Sequence, residues 1–176
     1  METWKKFEQN VVSHSAAHHL MAISELLASN GYARVTDVAR RLDITRGSAS
    51  ITLKALRERG LVVEDENKFL HLSEQGRELA NLIQSKRKIL ITFFHEILGV
   101  PEDAAETDAC KIEHLISEET GEKLLAFIKF LMSGSKKADE LLKAFNNYQL
   151  ECGDISSCHL CFDDCFLHDH DQDNVE

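Results

Sequence analysis

One thiol, one carboxylate and one imidazole are spaced to meet on a single helical face. Cys110, Glu113 and His114 stand at positions i, i+3 and i+4, and residues at these spacings are neighbours on one side of an α-helix. The combination of a soft ligand with borderline and hard ones is typical of half of a transition-metal site. The alternative is a buried cysteine beside an exposed Glu-His pair, and spacing alone leaves both open.

A predicted helix over residues 10–29 offers a second set of donors. His14, His18 and Met21 stand at i, i+4 and i+7, and all three side chains can bind borderline metal ions. The alternative is an amphipathic helix with exposed histidines. A metal ion shared between this helix and the Cys110 face would set the tilt of the N-terminal part of the chain.

Four further cysteines lie within 14 residues near the C-terminus: Cys152, Cys158, Cys161 and Cys165. Four thiolates at this density can complete a tetrahedral zinc site or hold an iron–sulfur cluster. Bound zinc would order a segment that has little core of its own. The alternatives are a redox switch that works by disulfide formation and reduced cysteines without a ligand.

Composition narrows the class of protein. The 176 residues are 43% apolar with one proline, which indicates a soluble globular chain. The N-terminus lacks the apolar stretch of a secretory signal and no run of 18 apolar residues occurs, so we expect a cytoplasmic protein without a membrane span. A glycine-rich phosphate loop, a Ser-His-Asp order and a paired-carboxylate cleft are not evident, so we do not expect an enzyme.

The net charge of -10 is unevenly distributed. Residues 1–88 carry 14 Lys/Arg and 11 Asp/Glu, whereas residues 89–176 carry 6 and 19.

The sequence of residues 1–88 predicts the order of elements of a winged helix. The helix over 10–29 is followed by a short helix over 37–42 and by a helix capped by Thr45 and ended by Gly60. Two short strands follow, near 61–66 and 68–73. This order is typical of a winged helix-turn-helix, whose second helix enters the major groove of DNA. A charged, solvated helical face is the alternative.

Candidate DNA contacts follow from that placement. Arg46 begins the second helix and could donate two hydrogen bonds to a guanine edge. Small polar side chains that would let the helix approach the bases follow it: Ser48, Ser50 and Thr52. Basic residues expected to contact phosphates are Arg40, Arg41, Lys54, Arg57, Arg59 and Lys68. The apolar positions expected to pack beneath are Val38, Leu42, Ile51, Leu53, Leu56 and Leu61.

The segment GYARVTDVARRLDITRGSASITLKALRERGLV, followed by the wing and by DACKIEHLISEET, resembles the diphtheria toxin repressor/manganese transport regulator family over residues 14–132. The resemblance implies a homodimeric metal-dependent repressor of double-stranded DNA operators. It also implies that a divalent metal binds between helix 1 and a helical dimerisation domain. Cys110, Glu113 and His114 match the family's ligand motif. His18 falls where helix 1 supplies a ligand, and Met21 falls where manganese-responsive members have a second carboxylate.

The resemblance also shows departures. Arg87 or Lys88 falls where the family has a histidine in the long helix, which implies that this ligand is missing; His95 lies two turns beyond, and Glu106 is near an ancillary ligand position. The remaining donors are softer than a manganese site, so iron(II) or zinc(II) fits better than manganese(II). Iron(II) is preferred because the cysteine resembles the iron-responsive branch.

We therefore expect a mainly α-helical protein with a winged helix-turn-helix over residues 1–72 and a helical metal-binding and dimerisation domain over 73–150. A Cys/His-rich segment with an acidic tail is expected over 151–176. The expected function is an iron-type, metal-dependent repressor. The alternative function is a winged-helix regulator that senses redox or iron–sulfur status through the C-terminal cysteines.

Overall fold

The computed structural model describes residues 12–148 and is mainly helical. The elements, in chain order, are α1 (His14–Asn30), α2 (Val35–Arg41), α3 (Arg46–Glu58), β1 (Val62–Glu64), β2 (Leu70–Leu72), α4 (Glu74–Thr92), a π-helical turn (Phe93–Ile97), α5 (Glu102–Ile112), α6 (Glu118–Leu131) and α7 (Lys136–Asn146). Among the described residues, no helix is both long and apolar enough to span a membrane. The predicted Cys/His-rich segment lies outside the described residues.

Hydroxyl side chains fix where the helices begin. The Oγ atoms of Ser13, Ser73 and Ser117 each accept a hydrogen bond from the backbone N–H three residues further on, at the start of α1, α4 and α6. Thr45 does the same for α3. Gly31 ends α1 with φ 77°, a left-handed conformation that glycine adopts without the steric cost of a Cβ. These local signals explain why the predicted helix order is found.

The wing is a short antiparallel ribbon. Val62 pairs with Leu72 and Glu64 with Leu70, and the connecting turn is organised by Asp65, whose Oδ1 accepts hydrogen bonds from the N–H groups of Asn67 and Phe69. The strands are shorter than the six-residue runs that the sequence predicts. Beyond the paired residues, the N–H groups of Asp65 and Ser73 donate to the carbonyl oxygens of Phe69 and Leu61, so the ends of the two runs belong to the turn and to the start of α4.

Most of the apolar residues predicted beneath the helix-turn-helix are found in the core. Val38, Leu53, Leu56 and Leu61 are buried, and Leu42 packs at its edge. The sequence also places Ile51 in the core, and this prediction is wrong, because its side chain is 75% exposed. It lies on the outer face of α3, two residues from buried Ala49 and Leu53.

The long helix α4 joins the wing to the C-terminal helices. It packs against α1, α5 and α6. The sequence predicts a long helix from Ser73 to about Leu98, and in the structure it changes at Phe93 to a π-helical turn. Residues 102–116 are also predicted to be helical, and this helix ends at Ile112. Buried Lys86 on α4 donates a hydrogen bond of 2.7 Å to the carbonyl oxygen of Ile116, in the turn after the Cys-x-x-Glu-His motif. This contact holds the motif against α4.

Residues from Gly134 onward form a separate unit. Within it, Ser135 accepts a hydrogen bond from the N–H of Ala138 and caps α7. The amphipathic pattern of residues 136–150 predicts this helix, which ends at Asn146.

The wing and α4 meet at Gly76, where a side chain has no room. A Cβ built on Gly76 would lie 2.0 Å from the carbonyl oxygen of Leu61. We expect Gly76→Ala to lower the free energy of unfolding by about 2 kcal/mol or more, because backbone must shift to relieve the overlap. The matched control is Gly121→Ala, whose Cβ would make ordinary contact at 3.7 Å with the Lys86 side chain. Urea denaturation of both variants measures the difference; equal stabilities would contradict the prediction.

Candidate metal centre and nucleic-acid interface

Donor groups from α1 and α5 meet at one place. His18 Nε2 lies 3.2 Å from Cys110 Sγ. Donor atoms of His14, His18 and Cys110 all lie within 4.8 Å of one another, and the ring of His14 lies 4.4 Å from that of His18 and 5.0 Å from that of His114, centre to centre. Residues 92 positions apart in the chain are thus brought to ligand distance.

Two further groups at this place lack hydrogen-bond partners. Glu113 is fully buried, and within the described part of the chain neither of its carboxylate oxygens has a hydrogen-bond partner; nor does buried Nδ1 of His114. Buried polar atoms in proteins are nearly always satisfied. The nearby cation is Arg87, whose Nε lies 3.8 Å from Glu113 Oε2. Unsatisfied carboxylate and imidazole atoms beside a thiol fit a divalent metal ion.

Burial sets the protonation of the cluster. Desolvation, aided by His14 and Arg87, lowers the pKa of His18, and desolvation and His14 lower that of His114. Both imidazoles are therefore neutral near pH 7, the form that binds metal. Desolvation raises the pKa of Glu113 to about 7 and, with the Glu113 charge, raises that of the Cys110 thiol. Metal binding must release protons from these groups.

A cleft of about 640 Å³ adjoins the cluster between α1 and α4. It is lined by His18, the buried Met21, Arg87 and Lys88, among others. The sequence predicts that the long helix lacks the family's histidine, and its two candidate replacements, Arg87 and Lys88, both reach this cleft. Cations therefore line the side of the centre that faces α4.

Other residues weighed from the sequence lie elsewhere or have other partners. Glu106 is exposed on α5. One ring nitrogen of His95, Nδ1, lies 2.9 Å from the carbonyl oxygen of Val100. Cys152, Cys158, Cys161 and Cys165 lie outside the described residues. The sequence already offers His14 as a possible metal donor, because it stands one turn before His18; the set matched to the family's ligand motif does not include it.

Comparison with known proteins identifies the family of this chain. A family model described as "Iron dependent repressor, metal binding and dimerisation domain" matches residues 73–141, and a MarR family model matches residues 15–68. The transcriptional regulator MntR of Lysinibacillus sphaericus is 30% identical over 103 residues, which cover 58% of this chain and 73% of the relative. The chain belongs to the diphtheria toxin repressor/manganese transport regulator family.

Members of this family resemble the chain to different extents. The iron-dependent repressor IdeR of Mycobacterium tuberculosis is 28% identical over 88 residues, covering 50% of this chain and 38% of the relative. The crystal structure of IdeR from T. acidophilum matches with a TM-score of 0.56 at 24% identity, over 66% of this chain and 55% of that one. The chain thus spans about half the length of that structure, and the likeness shows the fold. Its relatives are metal-dependent transcriptional regulators, which points away from an enzyme.

The outer face of α3 carries the residues that the sequence assigns to DNA. Arg46, Ser48, Ser50 and Lys54 are exposed and Thr52 is half-buried. Exposed Ile51 stands among them, although sequence reasoning places it in the core. An apolar side chain at this position of a recognition helix can contact the methyl group of thymine.

The basic residues around α3 differ in their partners. Arg40 has an 81% exposed side chain and lies 3.6 Å from Asp37. Lys54 lies 3.8 Å from Glu58, and Lys68 on the wing lies 3.1 Å from Glu64. By contrast, Arg41 is held by two hydrogen bonds to Glu25. The pairing of Arg41 ties α2 to α1, so a phosphate contact there would have to compete with Glu25.

A second ion pair connects the recognition helix to the wing. Arg57 pairs with Glu64 of β1, the same carboxylate that Lys68 approaches. The sequence predicts that Arg57 contacts a DNA phosphate, whereas in the free protein Arg57 pairs with Glu64 of the wing. This pair fixes the wing relative to α3.

Proposed function

We propose that this chain is a homodimeric, metal-dependent transcriptional repressor of the iron type, in which a divalent ion joins α1 to α5 and thereby favours operator binding. The observation that carries the proposal is the meeting of His18 and Cys110 at 3.2 Å, beside the Glu113 carboxylate and the His114 Nδ1 atom, which have no hydrogen-bond partner among the described residues. The proposed ligands are His18, Cys110, Glu113 and His114, with Met21 bordering the site. The proposed domains are 1–72, 73–150 and 151–176.

The mechanism follows from the position of α1. This helix contacts both α2 and α3 of the helix-turn-helix as well as α4. An ion that ties α1 to Cys110 and Glu113 at the end of α5 would restrict the tilt of the recognition helix. Such an ion strengthens DNA binding only as far as it binds the DNA-competent arrangement more tightly than the other arrangements.

Iron(II) is the ion that we propose for the regulatory site. Its donors are a thiol, imidazoles and one carboxylate, whereas manganese(II) prefers oxygen ligands. One relative is named an iron-dependent repressor and others are named manganese regulators. The zinc(II) alternative is distinguished by which metal the protein needs under anaerobic conditions.

The C-terminal cysteines are proposed to hold a separate zinc ion or iron–sulfur cluster. Metal and acid-labile sulfide analysis of anaerobically purified protein separates these outcomes, since only a cluster contributes sulfide. Absence of both metal and sulfide would contradict either form.

Cys110→Ser tests the proposed regulatory site. We expect the parent protein to bind a selected operator duplex at least about tenfold more tightly with iron(II) than with a chelator, the size of a typical allosteric coupling. The variant should lose this dependence because a serine hydroxyl is a poor ligand for iron(II). Fluorescence anisotropy under anaerobic conditions measures it, with His71→Asn on the wing as a control that keeps the metal response. A Cys110→Ser variant with the parent's metal response would contradict the proposal.

A further inference from the structure

His14 adds an imidazole that is not among the residues matched to the family's ligand motif. Resting on the proposed function that a metal ion binds here, we propose that His14 is a ligand of that ion together with His18 and Cys110. The three residues supply two nitrogens and one sulfur. We infer a single divalent ion of borderline softness, such as iron(II) or zinc(II), and discrimination against manganese(II).

The helix geometry holds His14 in position. It is the first residue of α1, directly after Ser13, whose Oγ accepts a hydrogen bond from the N–H of Ala16. His18 follows one turn later, so the two side chains share one face of α1, with their rings in an edge-to-face arrangement. The His14 ring also lies 5.0 Å from that of His114, between centroids. His14 is therefore close to a ring of its own helix and to a ring of the motif.

The distances are close to those of a bound ion. With metal–nitrogen bonds of about 2.0–2.1 Å and metal–sulfur bonds of about 2.3 Å, neighbouring ligand atoms of one ion stand roughly 3.0–3.6 Å apart. His18 Nε2 and Cys110 Sγ are 3.2 Å apart, and His14 completes a set that lies within 4.8 Å. Since His14 is exposed, a small rotation of its side chain can close the remaining gap.

The surroundings favour one ion rather than two. Arg87 approaches the Glu113 carboxylate at 3.8 Å, and Lys88 lines the adjoining cleft with His18. Positive charges on α4 repel a second cation at short range, and neither side chain is a ligand in its charged form. Because α4 offers Arg87 and Lys88 rather than a histidine, the additional nitrogen ligand comes from His14 on α1.

Cobalt(II) tests the proposal because its absorption reports its ligands. Full-length protein is titrated anaerobically, and the spectrum of Cys110→Ser is subtracted, so that only absorption requiring Cys110 remains. In His14→Gln we expect the Cys110-dependent charge-transfer band to persist while the ligand-field bands change. The affinity should fall by at least about tenfold, the lower bound for losing even an outer partner of a ligand. His71→Gln, an exposed histidine on the wing, should match the parent.

The variant His14→Asp provides a second test of the proposal. Carboxylate oxygen is a harder ligand than imidazole, so this variant should regain affinity and bind manganese(II) better relative to cobalt(II) than the parent does. If His14→Gln kept the parent's cobalt(II) spectrum and affinity, His14 would not be a ligand, although the proposed function would stand. If the parent showed no Cys110-dependent band, the metal centre of the proposed function would fail. Thermal unfolding of each metal-free variant confirms that it folds.

Discussion

Replacing Glu113 with glutamine is expected to stabilise the metal-free protein at alkaline pH and to remove its response to metal. Burial raises the pKa of this carboxyl from 4.5 to about 7. Below pH 4.5 the Glu113 carboxyl is protonated in both the folded and the unfolded states and does not lower the free energy of unfolding. As the pH rises to about 7 the unfolded chain ionises first, so the free energy of unfolding falls; above pH 7 the loss is complete.

The size of the stability loss follows from the shift in the pKa of Glu113. A change in the pKa from 4.5 to about 7 corresponds to about 3 kcal/mol. The neutral amide of glutamine avoids this loss but cannot supply the charged oxygen that a divalent ion would use. A residue that destabilises the metal-free fold and stabilises the metal-bound one makes stability depend on the ion.

Thermal unfolding at pH 5 and pH 8, with a chelator and with metal, measures both the pH dependence of stability and the response to metal. The stability difference between Glu113→Gln and the parent should be small at pH 5 and largest at pH 8 without metal. With metal, the parent's Tm should rise while the variant's changes little. Glu122→Gln, an exposed position on α6, is the control. A stability difference independent of pH would show that the carboxylate is ionised in the folded protein throughout.

Three kinds of substitution on the DNA-facing surface should have different effects. Arg40→Ala and Lys54→Ala should weaken binding to every duplex and lower the slope of log affinity against log salt by about 0.9 for each phosphate that is no longer neutralised. Arg46→Ala should weaken operator binding by about 1–3 kcal/mol per half-site, with less effect on unrelated DNA, because it removes a base contact.

Ile51→Ala should reduce the discrimination between thymine and uracil at one operator position, because it removes an apolar contact with the thymine methyl group.

An operator recovered from a random duplex pool, titrated at several salt concentrations, measures these effects. The operator is compared with its thymine-to-uracil version and with a scrambled duplex. Equal weakening of operator and scrambled DNA by Arg46→Ala would contradict a base contact. Unchanged affinity of Ile51→Ala for all three duplexes would mean that its exposure on α3 serves another purpose.

The order of the helices was the most predictable part of the fold, because apolar spacing and caps depend on local chemistry. Thr45 caps α3 as the sequence predicts, whereas Ser13 caps α1 inside the stretch predicted as helix over 10–29. Ile51 was not predictable: Leu53 and Leu56 on the same helix are buried, and only the rotation of α3 against its neighbours decides which apolar side chain faces outward.

The sequence by itself determined the order of helices and wing, the Cys-x-x-Glu-His spacing and the absence of histidine from positions 87 and 88. Each of these depends on residue type and on separations of a few residues. Only the tertiary structure decided that His14 and His18 meet Cys110, that Glu113 is buried without a hydrogen-bond partner and that Arg87 approaches it. These relations join α1, α4 and α5, whose relative positions follow from packing across the whole core rather than from any local pattern.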